Sequence, residues 1–155
     1  MGREVTHVFA PDALKDRVVV VTGGGRGIGS GISRMVAAAG GDVAIIYPVD
    51  SEKVHADKMI AEIVAAGGKA SAYLCDVGIQ SECVRVIAEI VKDKGRVDAL
   101  VNNAGICDFT AFDDITPAIW DRHLAVNLSG PFYLSQAVVK DMKPRKKGAI
   151  VNIST

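Results

Sequence analysis

Short apolar runs alternate along this chain with longer amphipathic stretches, separated by turns rich in glycine and polar residues. Such alternation predicts strands followed by helices, and hence an α/β domain with a parallel sheet. The first run, Val18 to Val21, is wholly β-branched and suits a strand buried on both faces. It breaks into Gly23, Gly25, Gly27 and Gly29, and a helix is predicted from Ile28 to Ala39. A second strand, Asp42 to Tyr47, follows. Ser51 is placed to cap a helix whose Val54, Ile60, Ile63 and Val64 share a face and which Gly67 and Gly68 stop. Lys69 to Cys75 reads as a third strand ending at Asp76. Ser81 is placed to cap the next helix, with Val84, Ile87, Ala88 and Val91 as its buried stripe and Gly95 as its close. Val97 to Val101 is the fourth strand and runs into Asn102, Asn103, Ala104 and Gly105. Thr116 before Pro117 marks a helix start, because proline at the first helical position loses no hydrogen bond the helix needs. That helix is predicted to reach Asn127, a further one to span Pro131 to Met142, and Ala149 to Ile153 to form the fifth strand. The reading is one domain over residues 14–155 behind an N-terminal arm, residues 1–13.

The glycine-rich junction carries the first chemistry. Glycines there let the backbone turn tightly and approach a ligand to contact distance, where a Cβ would collide. The following helix would aim its unpaired N–H groups and positive dipole end at whatever lies above the turn. A pyrophosphate fits that site, and the second strand arrives at the distance a βαβ unit requires.

Composition narrows the partners. The chain has 155 residues with 18 basic and 18 acidic side chains, so it lacks the cationic field that nucleic acid or an acidic membrane would demand. Cys75, Cys83 and Cys107 are odd in number and without metal or redox spacing, and read as reduced thiols of a cytoplasmic protein. His7, His55 and His123 are scattered, so no metal site is expected. No apolar stretch is long enough to span a bilayer, and no signal-peptide pattern opens the chain. Met1 to Thr6 formally matches a myristoylation pattern, but so loose a pattern is read as coincidence.

These residues together resemble the short-chain dehydrogenase/reductase family. Thr22, Gly23, Gly27 and Gly29 match its TGxxxGxG turn, Asp76 and Val77 its adenine-side pair, Asn102 to Gly105 its NNAG segment, and Asn127 its helix asparagine. The resemblance runs from Leu14 to Thr155. It implies a Rossmann-type sheet in the order 3-2-1-4-5, incomplete at its C-terminal edge. It also implies a nicotinamide cofactor and hydride transfer to or from a carbonyl or alcohol carbon, on a substrate such as a sugar, polyol or 3-oxoacyl compound. On that footing the cofactor-binding set is Thr22, Gly23, Gly25, Arg26, Gly27, Ile28, Gly29, Asp76, Val77, Asn103, Ala104 and Gly105. The catalytic set within the chain is Asn127, Ser154 and Thr155. Helices over residues 116–142 are the family's usual pairing surface, so a homo-oligomer is expected.

Several of these residues also have plainer readings. Asp76 could accept from the adenine amino group or simply shape the turn after its strand. Asn103 to Gly105 could lie against the cofactor ribose or form an ordinary turn. Asn127 could feed a proton relay through water or be a helix-end asparagine. Arg26 is placed to fork onto a ribose 2′-phosphate, which favours NADP. Against it, Asp50 lies near the spacing of an acid that would bind the 2′-OH of NAD, although it could equally cap a helix.

The family's Tyr and Lys general-acid pair has no match here. Tyr47, Tyr73 and Tyr133 are followed four residues later by Ser51, Val77 and Ala137. Where the family's fifth strand ends in two serines, this chain has Ser154 and Thr155, and a threonine methyl restricts rotamers and narrows a pocket. Ile150, Val151 and Ile153 belong to a strand built to be covered, so the chain alone is expected to aggregate or pair. Two function classes follow: the cofactor-binding portion of an oxidoreductase, or a non-catalytic dinucleotide-binding or subunit-interaction protein.

Overall fold

The computed structural model describes residues 10–154. Most of the predicted N-terminal arm, with the myristoylation pattern and His7, lies outside the described residues, as does Thr155. Strands β1 (Val18–Thr22), β2 (Asp42–Tyr47), β3 (Lys69–Leu74), β4 (Ala99–Asn102) and β5 (Ala149–Asn152) alternate with helices. These are α1 (Gly27–Ala38), α2 (Lys53–Ala65), α3 (Gln80–Lys94), α4 (Pro117–Leu124) and α5 (Gly130–Arg145). The sheet has the order β3-β2-β1-β4-β5 with every pairing parallel, as expected.

Both faces of the sheet are covered, which explains the unbroken apolar run of β1. Val18 and Val20 join Ala44, Ile46 and Leu100 against α3 and α5. Val19 and Val21 join Val43, Ile45 and Val101 on the opposite face, with Ala56, Met59 and Ile63 of α2. All five residues of β1 are buried. At the edge of the sheet β5 is exposed along its length, including Ile150 and Val151.

Three helix expectations are corrected. Neither Ser51 nor Ser81 caps a helix. A short 3-10 turn over Asp50–Glu52 precedes α2, and Ile79 occupies the N-cap of α3 without a side-chain bond. The buried stripe of α2 is Ala56, Met59 and Ile63, while Val54 and Val64 face solvent. Its phase is set by contact with the glycine turn: a Cβ on Gly25 would stand 2.9 Å from the Ala56 nitrogen, so only a small residue fits there. In α3 the stripe is Cys83, Val86, Ile87 and Ile90 instead of one containing Val84 and Ala88. A buried cysteine packs as a small hydrophobe, and the Cys83 thiol donates to the Val77 carbonyl at 3.2 Å.

The third correction concerns residues 116–142. The chain does not break between two helices but runs from α4 through one π-helical segment, Ala125–Ser129, into α5. Thr116 caps the start, its hydroxyl accepting from the Ile119 N–H at 3.3 Å, as the Thr-Pro pair predicted. Pro131 is tolerated because it falls in the first turn after the wide segment, where its missing N–H costs little. Gly130 passes so close to Val77 that a Cβ would meet the Val77 carbonyl oxygen at 2.9 Å. No described helix is long and apolar enough to cross a membrane.

Candidate functional site

A cavity of about 470 Å³ opens at the carboxyl ends of the strands, where open α/β sheets place their ligands. One wall is the turn between β1 and α1, with Gly23, Gly25, Arg26 and Ile28. The end of β2 supplies Tyr47, Pro48 and Val49, and the entry to α2 supplies Glu52, His55 and Ala56. Cys75, Asp76 and Val77 follow β3; Asn103 to Ile106 follow β4; Arg122 and Val126 lean in from the long helix.

The glycine turn splits into distinct jobs. Gly27 has a positive φ of 52°, and a Cβ there would meet nothing within 4 Å, so its outer side is open. Gly29 is the close-packed one: a Cβ would stand 2.6 Å from the Asn103 amide nitrogen and 2.8 Å from the Gly23 carbonyl carbon. The first turn of α1 has no side-chain cap and no acidic residue. Its leading N–H groups therefore have no side-chain cap and no carboxylate of their own turn competing for a ligand.

Thr22 does not line the cavity. It is buried, and its hydroxyl accepts from the Asn103 and Ala104 N–H groups at 2.9 and 2.8 Å while donating to the Val101 carbonyl at 3.4 Å. The Asn103 side chain donates to the Thr22 carbonyl at 2.9 Å. Two strand ends are thereby bolted together, and the segment Asn103 to Gly105 is held against the glycine turn. Thr22, Gly27 and Gly29, all expected to bind cofactor, stand apart from the lining residues; Thr22 and Gly29 hold the shape that Gly23, Gly25, Arg26, Ile28, Asp76, Val77, Asn103, Ala104 and Gly105 present.

The geometry shows Asp76 in its plainer role, at the turn after its strand, with its carboxylate on the cavity wall. Its Oδ1 accepts from the Gly78 N–H at 2.9 Å, shaping the turn after β3, and its Oδ2 lies 2.8 Å from the Arg122 guanidinium. The carboxylate still lines the cavity; Oδ1 also accepts from Arg122 at 3.1 Å, which leaves Oδ2 with a second lone-pair direction for a ligand donor. Burial and a hydrogen bond with Cys83 push the neighbouring Cys75 thiol well above its ordinary value, the hydrogen bond contributing most, so Cys75 stays a protonated part of the floor. The three cysteines are free.

Asn127 lies in the π-helical segment and not at a helix end. Its amide pairs with Ile106 in both directions, accepting from the N–H at 2.9 Å and donating to the carbonyl at 2.8 Å. Isolated π segments often accompany functional sites. Here the segment turns the amide so that it pins the loop leaving β4. Ser154 is exposed just beyond β5, on the same sheet edge, where the Ile153 N–H donates to the Asn102 carbonyl.

Comparison with known proteins follows the same lines. The family model described as short chain dehydrogenase matches residues 17–155. The chain belongs to the short-chain dehydrogenase family. It is 39% identical over 139 residues to an acetoacetyl-CoA reductase of Shinella zoogloeoides, covering 90% of this chain and 55% of that protein. It is 36% identical over 142 residues to 2-(S)-hydroxypropyl-CoM dehydrogenase 3 of Xanthobacter autotrophicus, covering 92% and 54%. Among solved structures, a metagenomic short-chain oxidoreductase in complex with NADP superposes with a TM-score of 0.86 at 36% identity, over 92% of this chain and 64% of that one. The chain thus spans about half the length of the curated relatives it matches.

Against the family's motifs, the structure adds residues that sequence reasoning missed. Glu52 lines the cavity, whereas Asp50, weighed as a ribose acid, is exposed and off the wall. The 3-10 turn over Asp50–Glu52 rotates successive side chains by about a third of a turn, which carries Glu52 inward. Its nearness to the end of β2 was the available signal. Arg122 comes from a helix 46 positions beyond its partner Asp76, so nothing local announces it.

Proposed function

We propose that this chain forms the dinucleotide-binding part of an NAD(P)-dependent oxidoreductase that moves hydride between a nicotinamide cofactor and a carbonyl or alcohol carbon. The observation that carries the reading is the cavity itself. The glycine turn and the uncapped, acid-free start of α1, with Gly23, Gly25, Arg26 and Ile28, form one side, while Asp76 and the segment from Asn103 to Gly105 line the other. That arrangement suits a pyrophosphate with its adenosine and nicotinamide arms on either hand. Nicotinamide supplies the hydride chemistry when bound.

The solved relatives bound to NADP or NADPH support NADP over NAD, as does Arg26 on the cavity wall. Asn127, Ser154 and Thr155 form the reacting side in this reading. A 3-oxoacyl thioester fits as substrate class, because an acetoacetyl-CoA reductase is among the relatives, with sugars and polyols as alternatives. The free thiols suit the reducing cytoplasm. A folded chain that takes up NADPH saturably in a calorimetric titration supports this function; a folded chain that takes up neither NADPH nor NADH refutes it.

Pairing of two copies through residues 116–142 belongs to the same proposal. Trp120, Leu124, Leu128 and Phe132 recur every fourth residue along the long helix, all exposed. Such a stripe of large apolar side chains is the kind of face that marks an interface. Equilibrium sedimentation is expected to show a dimer or larger that Leu128→Glu dissociates. A monomeric parent chain would remove this surface from consideration.

A further inference from the structure

The turn after β3 is held from two helices at once. From α3, Glu82 Oε2 accepts from the Asp76 N–H at 2.7 Å, and the Cys83 thiol donates to the Val77 carbonyl. From the last turn of α4, Arg122 leans into the cavity, its Nη1 standing 3.1 Å from Asp76 Oδ1 and 2.8 Å from Oδ2. That reach needs an opening in the turn, and Gly78 supplies it. A Cβ there would stand 2.9 Å from Arg122 Nη1 and 3.3 Å from both the Ala125 Cβ and Asp76 Oδ1. Gly78 is not among the glycines with positive φ, so space and not backbone conformation calls for glycine at this position. Among the described residues Arg122 makes no side-chain hydrogen bond to any other partner.

We propose that Arg122 is a positioning residue that, through the slot at Gly78, fixes the Asp76 carboxylate to read the amino group of an adenine base. The inference rests on the dinucleotide reading of the cavity. A carboxylate accepts hydrogen bonds and donates none, so Asp76 favours the exocyclic amine of adenine over the carbonyl that hypoxanthine carries at the same place. The choice is sharp only if the accepting oxygen stays put. The Gly78 N–H holds Oδ1 alone and would let the plane of the carboxylate swing about it. Arg122 contacts both oxygens, which fixes the plane and leaves the remaining direction of Oδ2 for a ligand. It also offsets the charge of Asp76, so a base can cover the carboxylate at a smaller desolvation cost. The Arg122 side chain is 45% exposed, and ion pairs so open contribute little to stability. The effect of the pair is on which base is held.

The test is a set of titrations of the folded chain with NADPH and with its deaminated analogue, reduced nicotinamide hypoxanthine dinucleotide phosphate, repeated with Arg122→Ala, Gly78→Ala and the double variant. Each preparation is measured with both dinucleotides, which differ only in the amine or carbonyl edge of the base, so the folded fraction cancels in the ratio of affinities. Arg122→Ala is expected to lower the preference for NADPH about fivefold, the size of one net hydrogen bond. Gly78→Ala displaces the far end of a flexible side chain and should lower the preference by a similar factor, with no further fall in the double variant. A preference that Arg122→Ala leaves unchanged or raises overturns the role of Arg122 while the dinucleotide site stands, as does a parent that binds the two analogues equally. Losses that add in full in the double variant overturn the slot at Gly78 as the route by which Arg122 acts. Failure of both dinucleotides to bind the folded parent overturns the site and the proposal together.

Discussion

Replacing Thr22 with valine is expected to destabilise the protein by about 2 to 4 kcal/mol, because two donors lose their shared acceptor and each unsatisfied donor costs about 1–3 kcal/mol. Valine keeps the shape of the side chain, so packing among the buried residues at the end of β1 is unchanged and only the hydroxyl is removed. Thr22 is 1% exposed, leaving no room for water to replace it. The Asn103 and Ala104 N–H groups both point at its Oγ1. For a chain of this size the loss corresponds to a fall in melting temperature of roughly 2–4 °C per kcal/mol. Thr22→Ser retains the oxygen and should recover most of the loss. Thermal melts of the two variants decide the matter: destabilisation by serine with none by valine would show that the methyl, not the hydrogen bonding, holds the two strand ends together. Nucleotide affinity should fall with the valine variant as well, since the segment from Asn103 to Gly105 is held in place from this hydroxyl.

Removing the Asp98 carboxylate is expected to cost about 3 kcal/mol at neutral pH, the scale of a buried charge network that loses its anion. Asp98 precedes β4, is 9% exposed, and accepts from the Val18 N–H and the Arg96 Nε at 2.9 and 2.8 Å. Arg17 and Arg145 stand 3.5 and 3.4 Å from its other oxygen. Burial by itself raises the carboxyl's pKa, but the Val18 N–H and the Arg96 and Arg17 charges outweigh it and hold the group below its ordinary value. A carboxyl with a depressed folded pKa stabilises the fold at every pH above its unfolded value. That contribution is lost as pH falls through the folded value. The gap in stability between the parent and Asp98→Ala should therefore be flat from neutrality down to the unfolded carboxylate value near 3.9 and close below it, with unfolded aspartate at about 3.9. Denaturant midpoints measured across that range test the sign. A gap that widens in acid would contradict it.

The glycine turn, the Asp76-Val77 pair and the Asn103-to-Gly105 segment were legible in the sequence because each is a contiguous stretch whose backbone demands are local. The roles within them were less so. Thr22 and Gly29 belong to the family pattern, yet neither lines the cavity. Their conformational job shows only when the end of β4 is seen lying against them. The same holds for the α2 and α3 stripes, where the most apolar residues gave the wrong phase. Ala56 and Cys83 are small, and what buried them was a close neighbour: the glycine turn in one case, the Val77 carbonyl in the other.

By itself the sequence determined the order of strands and helices, the parallel sheet and the place where a dinucleotide would lie, because periodic burial and glycine backbone freedom are written residue by residue. Only the tertiary structure decided which charges meet. Arg122 reaches Asp76 from a distant helix, Arg26 meets Glu52 across a 3-10 turn, and Asp98 gathers three arginines from separate segments. It also decided that α4 and α5 run as one helix through a π segment, placing the Asn127 amide on Ile106. Pairing of side chains depends on how elements cross in space, and that crossing has no local signature along the chain.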